Sequence, residues 1–127
     1  MIRSFSATDI GKKRKLNQDY VYVSEDPIGN LPNLFVVADG MGGHNAGDYA
    51  SKCTVETLIR EVRGCFEKNP VRILGKAIRI ANDQIRRKAK EDESLLGMGT
   101  TVVAATCLGH YLQVANVGDS RLYIVNN

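Results

Sequence analysis

The chain has 127 residues, which allows at most one ordinary domain, and 43% of them are apolar, which is enough for a buried core. Its net charge of +3 is too small to indicate nucleic-acid binding, and no stretch is apolar enough for a signal sequence or a membrane span. Three cysteines without paired spacing and only two histidines argue against a disulfide framework and a zinc site. We therefore expect a cytoplasmic protein with neither a nucleic-acid nor a membrane partner.

The first third of the chain is predicted to form strands. Residues 2–8 alternate between polar and apolar side chains, which predicts a short strand. Residues 19–24 are β-branched and aromatic, which predicts a second strand, and residues 25–33 contain the prolines and glycines of a turn. The apolar run 34–38 predicts a third, buried strand that ends at Asp39.

The segment after that third strand carries the candidate chemistry. Asp39 is followed by Gly40, Gly42 and Gly43, which predict a sharp turn whose backbone approaches whatever Asp39 holds. A carboxylate on a rigid strand beside exposed carbonyls suits Mg²⁺ or Mn²⁺. The plainer alternative, in which Asp39 only solvates a turn, is equally compatible with the local sequence. A dinucleotide fingerprint and a P-loop are both excluded by the glycine spacing.

Two helices and three more strands are predicted after the glycines. Asn45 is a candidate N-cap for a first helix, and Asn69-Pro70 begins a second. Apolar residues recur at helical spacing in both, at Val55, Leu58, Ile59, Val62 and Phe66, and at Leu74, Ala77, Ile78, Ala81 and Ile85. Strands are predicted at 100–108, 111–117 and 120–125, with hairpin turns at Gly109-His110 and Gly118-Asp119. The order of three strands, two helices and three strands favours an α+β fold with an antiparallel sheet.

Four segments together resemble a known family. They are residues 11–19, with Arg14 and Asn17-Gln18-Asp19; residues 38–44, Ala-Asp-Gly-Met-Gly-Gly-His; residues 97–101, Gly-Met-Gly-Thr-Thr; and residues 116–121, Asn-Val-Gly-Asp-Ser-Arg. In order and spacing they resemble the metal-dependent protein phosphatases of type 2C, most closely the small bacterial serine/threonine phosphatases. Any one of these segments alone has little specificity, whereas four in order have much.

The resemblance implies an antiparallel β-sandwich flanked by helix pairs, with Mn²⁺ or Mg²⁺ bound at one end as two ions and a third, weaker one. Asp39 would bridge the two ions, the Gly40 carbonyl would complete one shell, and Asp19 would hold water in the metal shell. Arg14 would bind the substrate phosphate, although it is also one basic residue among four in that loop. Asp119 would help to bind the third ion.

Two positions depart from other members of the family. Met41 stands where many eukaryotic members have a histidine, and His44, three residues later, is not expected to inherit its role. Gln18 replaces a glutamate that serves as a metal ligand in some members.

The length departs as well, because the resemblance covers only the first half of the family's catalytic domain. We therefore expect residues 1–127 to be the N-terminal portion of one such domain, in which water activated by metal attacks phosphoserine or phosphothreonine. The substrates would be proteins phosphorylated by a bacterial Ser/Thr kinase. The alternative is a catalytically incomplete folding or interaction module. In either case we expect the chain alone to have little activity and to self-associate through exposed strand edges.

Overall fold

The computed structural model describes residues 4, 6, 19–43 and 46–117. Its elements are β1 (Asp19–Ser24), β2 (Leu34–Met41), α1 (Ala46–Arg63), α2 (Pro70–Glu91), β3 (Gly99–Leu108) and β4 (Tyr111–Val117), with a short 3₁₀ helix at Glu93–Leu95. The four strands form one antiparallel sheet in the order β1-β2-β3-β4. This is the α+β arrangement expected from strands and helices that are segregated along the chain.

Several predicted features lie outside the described residues. They are the strand at 120–125, the N-cap at Asn45, the turn at Gly118-Asp119 and the strand at 2–8, of which residues 4 and 6 alone are described, neither of them in a strand. The described part therefore contains two strands, two helices and two strands, all in a single sheet. No helix in this part of the chain is long and apolar enough to cross a membrane.

The prediction that β2 ends at Asp39 is wrong. The strand continues to Met41, because β3 extends equally far and pairs Gly40 with Thr100 and Met41 with Gly99. The chain turns at Gly42, whose φ is 148° and where a Cβ would lie 2.9 Å from the Cβ of Ala46. A Cβ at Gly43 would meet nothing within 4 Å, so of these two glycines it is Gly42 that the turn requires.

The helices cover one face of the sheet. Leu34, Val36 and Ala38 alternate along β2 and are buried in a core that they share with Leu58 of α1 and Leu74 of α2. Since successive strand residues point to opposite faces, Asp39 lies on the face away from the helices. On that face Val37 is 46% exposed and Met41 is 51% exposed.

The boundaries between the later elements follow local signals, with one exception. Asn69 caps α2, and its side-chain Oδ1 accepts a hydrogen bond from the Val71 backbone N at 2.9 Å. The hairpin at Gly109-His110 is also confirmed, because Leu108 pairs with Tyr111 across it. However, Phe66 does not belong to α1, which ends at Arg63, and its side chain is 96% exposed. Helix α1 ends just before Gly64, which is a poor helix former, and the next helix begins after its N-cap at Asn69. Phe66 lies in the short loop between the two helices.

Candidate metal centre

Asp19 and Asp39 lie directly opposite each other on β1 and β2. On the next strand, Thr101 of β3 is the cross-strand partner of Asp39 and donates a hydrogen bond of 3.5 Å from its Oγ1 to the Asp39 carbonyl. Opposed residues of an antiparallel pair have Cβ atoms about 4.5–5.5 Å apart and share one face of the sheet. The two aspartates are therefore neighbours on the same face of the sheet, although they are twenty residues apart in the sequence.

This pair fits a hard divalent cation. Both aspartates are half-buried, and like charges directly opposite each other on neighbouring strands destabilise the sheet. A shared Mg²⁺ or Mn²⁺ would offset that repulsion, and carboxylate oxygens are the ligands that these ions prefer.

Gly40 follows Asp39 within the strand and is buried. It is the cross-strand partner of Thr100 of β3, so it lies within the sheet and not in a flexible turn. Its predicted role as a carbonyl ligand stays a prediction, for a residue that follows Asp39 within a strand.

Met41 lies on the same face as Asp39. Its Cγ is 3.4 Å from the position that a Cβ would occupy on Gly99 of β3, so the thioether lies along the neighbouring strand. A thioether neither gives nor takes a proton. Met41 is therefore not a candidate for a proton-transfer role.

The described residues supply only part of a metal site. Among them, no group of three or more histidine, cysteine, aspartate and glutamate side chains is placed to hold a metal ion. Ions such as Mg²⁺ need about six oxygen ligands, so two carboxylates and one carbonyl must be supplemented. The other predicted site residues, Arg14 and Asp119, lie outside the described residues, as do Gln18 and His44.

One residue that sequence reasoning did not single out aligns the strands that carry the centre. Asn33, buried just before β2, accepts a hydrogen bond from the Cys107 backbone N to its Oδ1 at 2.7 Å, and its Nδ2 donates to the Cys107 carbonyl at 3.0 Å. Thr106 Oγ1 donates to the Asn33 carbonyl at 2.7 Å. These bonds fasten β2 to β3 six residues from Asp39 and help to set their register. A buried asparagine after Pro32 resembles any turn residue in sequence, so no local signal identifies it.

Comparison with known proteins identifies relatives of this chain. A family model described as protein phosphatase 2C matches residues 11–127. The serine/threonine phosphatase stp of Listeria welshimeri is 41% identical over 124 residues, covering 94% of this chain and 48% of that protein. The crystal structure of the serine/threonine phosphatase Stp1 from Staphylococcus aureus superimposes with a TM-score of 0.81 at 34% identity, covering 94% of this chain and 48% of that one.

A further solved structure contains metal. It is the catalytic domain of the serine/threonine protein phosphatase PstP in complex with two manganese ions, with a TM-score of 0.75 and 34% identity, covering 89% of this chain and 46% of that one. The chain described here therefore belongs to the protein phosphatase 2C family. It spans about half the length of the relatives that it matches.

Proposed function

We propose that this chain is part of a metal-dependent protein serine/threonine phosphatase that hydrolyses phosphoserine and phosphothreonine. The observation that carries the proposal is the facing pair Asp19 and Asp39 on neighbouring strands of a chain from the protein phosphatase 2C family. The names of its relatives and the two manganese ions of the PstP structure support it.

Some of the predicted site residues would bind metal, and another would bind the substrate. Asp39 would bind both cations, with the Gly40 carbonyl beside it, and Asp19 would orient water in the metal shell. Arg14 would bind the substrate phosphate through its planar guanidinium, and Asp119 would contribute to a third ion. When bound, Mn²⁺ or Mg²⁺ would lower the pKa of water and neutralise charge on the phosphoryl oxygens.

The setting of this activity is part of the same proposal. Residues 1–127 would form the N-terminal portion of one catalytic domain, acting in the cytoplasm on proteins phosphorylated by a Ser/Thr kinase. Because the chain spans about half of its relatives, the remaining ligands would come from the rest of that domain.

The test is to express the reading frame that contains these residues and to follow release of phosphate from a phosphothreonine peptide with Mn²⁺. Hydrolysis that is lost with EDTA and with Asp39→Asn is the expected result. Asp26→Asn, at an exposed carboxylate in the turn after β1, is the matched control and should keep full activity. No hydrolysis by the unaltered protein, or hydrolysis that survives Asp39→Asn, would overturn the proposal.

A second candidate, a non-catalytic interaction module, is favoured by one observation. The sheet face opposite the helices exposes apolar side chains, among them Val37 at 46% and Val114 at 44%. A chain that associates through this face, and that lacks metal-dependent hydrolysis even within the complete reading frame, would support this alternative.

A further inference from the structure

A groove lies at the corner between α1 and α2. Its volume is about 950 Å³, and it is lined by residues 64–68 of the connecting loop and by Val71, Arg72, Gly75, Lys76 and Arg79 of α2. The 18 residues of α1 begin beside the turn after Asp39 and end at this groove, which places it about 27 Å along the helix at 1.5 Å per residue. A ligand in the groove would therefore leave the metal centre open.

The loop of residues 64–68 exposes an aromatic ring, that of Phe66, to solvent. Phe66 is 96% exposed, yet its two neighbours are anchored, because Asn30 Nδ2 donates to the carbonyls of Cys65 at 3.4 Å and Glu67 at 3.0 Å. Val71, which lines the same groove, is 59% exposed. An exposed aromatic side chain on an anchored loop is the kind of group that dominates binding interfaces, since the loop backbone is already ordered and loses little conformational entropy on binding.

The groove is also strongly basic. Lys68, Arg72, Lys76 and Arg79 line it together with a single carboxylate, Glu67. That carboxylate accepts hydrogen bonds from the backbone N of Asn69 at 3.2 Å and of Lys68 at 3.0 Å, which lowers the pKa of Glu67. Its other oxygen lies 3.8 Å from Arg72 Nη1. The remaining positive charge faces the solvent, so an acidic ligand is favoured.

A glycine without a packing role forms part of the same groove. Gly75 is exposed within α2, where a Cβ would meet nothing within 4 Å. Glycine inside a helix destabilises it relative to alanine, so neither helix formation nor packing accounts for the choice. Its missing side chain leaves room for another backbone to approach α2 between Arg72 and Arg79.

We propose that this groove binds an acidic segment of a partner protein that carries an apolar anchor side chain. The anchor packs against Phe66 and Val71, and the carboxylates of the segment face Arg72, Lys76 and Arg79. A membrane surface or a nucleic-acid duplex would contact the charged rim but would not enter the concave space at Gly75, so an extended peptide fits best. This binding is separate from the proposed phosphatase activity and does not rest on it.

The test uses a fluorescein-labelled peptide, Asp-Glu-Asp-Leu-Phe-Asp-Glu-Asp, and fluorescence anisotropy with the full chain. Phe66→Ser, Gly75→Leu and the double variant Arg72→Gln/Lys76→Gln should each weaken binding by about tenfold or more. Leucine is a better helix former than glycine, so weaker binding by Gly75→Leu would not reflect loss of the helix. The matched controls are Leu96→Ser, at an apolar side chain that is 75% exposed elsewhere, and Arg87→Gln/Lys90→Gln further along α2. Both should change the affinity less than twofold.

Three results would overturn the proposal. The first is no binding to the unaltered chain, or binding that the groove variants do not weaken. The second is equal binding of a peptide with Ser-Ser in place of Leu-Phe, which would show that charge alone is recognised. The third is equally groove-dependent binding of a DNA duplex or of vesicles containing phosphatidylserine, which would assign the surface to those ligands.

Discussion

Asp19, the first residue of β1, lies directly across from Asp39 of β2, and both side chains face away from the helices. Like charges directly opposite each other on neighbouring strands repel, and a cation that both carboxylates bind would offset this repulsion. The same pair should therefore contribute affinity for a divalent cation.

Asp39→Asn should remove most Mn²⁺ binding. Losing a residue that only supports a metal ligand typically costs roughly 10–100-fold in affinity, and loss of a direct ligand should cost at least as much. Isothermal titration calorimetry would measure this, with Asp26→Asn as the control. Unchanged Mn²⁺ affinity would remove Asp39 from the metal site.

Arg14→Ala, tested in the complete protein, should impair substrate use more than metal binding. Loss of a hydrogen bond to a charged group costs roughly 1.5–3 kcal/mol, which is about 10- to 150-fold in kcat/KM. Steady-state kinetics on a phosphothreonine peptide would show the fall, while Mn²⁺ affinity stays within about twofold. Lys12→Ala, in the same basic loop, is the control. Equal kinetics for the two variants would make Arg14 an ordinary surface charge.

Gly29→Ala should destabilise the fold by about 2–4 kcal/mol. Gly29 has a φ of +55°, and a Cβ there would lie 2.2 Å from the carbonyl oxygen of Val62, where the turn before β2 packs against the end of α1. Urea unfolding followed by circular dichroism would measure the loss. Gly43→Ala, where a Cβ meets nothing within 4 Å, should change stability by less than about 0.5 kcal/mol. Similar changes in stability for the two variants would mean that a Cβ at position 29 can be accommodated against the end of α1.

Thr54→Val should raise stability by about 1 kcal/mol, because the buried Thr54 hydroxyl has no hydrogen-bond partner among the residues that the structure describes. Thr106→Val makes the same chemical change where the hydroxyl donates to Asn33, and it should lower stability by about 1–3 kcal/mol. Urea denaturation of each variant, compared with that of the unaltered chain, would measure both changes in the free energy of unfolding. A loss of stability in both variants would show that the Thr54 hydroxyl is hydrogen-bonded in the folded chain.

The 127-residue chain alone should have little phosphatase activity and should self-associate. The described residues provide two facing carboxylates and one carbonyl toward shells of about six oxygens, so metal affinity should be low. Hydrolysis of p-nitrophenyl phosphate with excess Mn²⁺ and multi-angle light scattering would test both expectations. Val37→Lys/Val114→Lys on the exposed face should restore a monomer, whereas Val71→Lys on α2 should not. Full activity from a monodisperse monomer would refute this prediction.

Sequence patterns located the elements whose ends depend on local chemistry. β1 and β4 have the bounds that were predicted, α2 starts at its Asn-Pro cap, and the two-residue hairpin forms where Gly109 supplies a φ of +60°. In each case the sequence pattern that predicts the boundary lies within a few neighbouring residues.

The misassigned positions depend on distant partners. Phe66 has helical spacing with Val62, but the loop that contains it is fastened by Asn30, thirty-five residues before Cys65, and this contact cannot be read from periodicity. Likewise, β2 runs past Asp39 because β3 is long enough to pair with it there, sixty residues later in the chain.

The sequence by itself determined the family, the antiparallel α+β class and the identity of the candidate ligands, because these are carried by ordered local segments and by the chemistry of each side chain. Only the tertiary structure decided that Asp19 meets Asp39 and that Phe66 is presented beside a basic helix. The physical reason is that both juxtapositions depend on pairings between distant segments. A shift of one residue in the β1–β2 register would turn one carboxylate to the opposite face, and the register is set by packing and hydrogen bonds over the whole sheet.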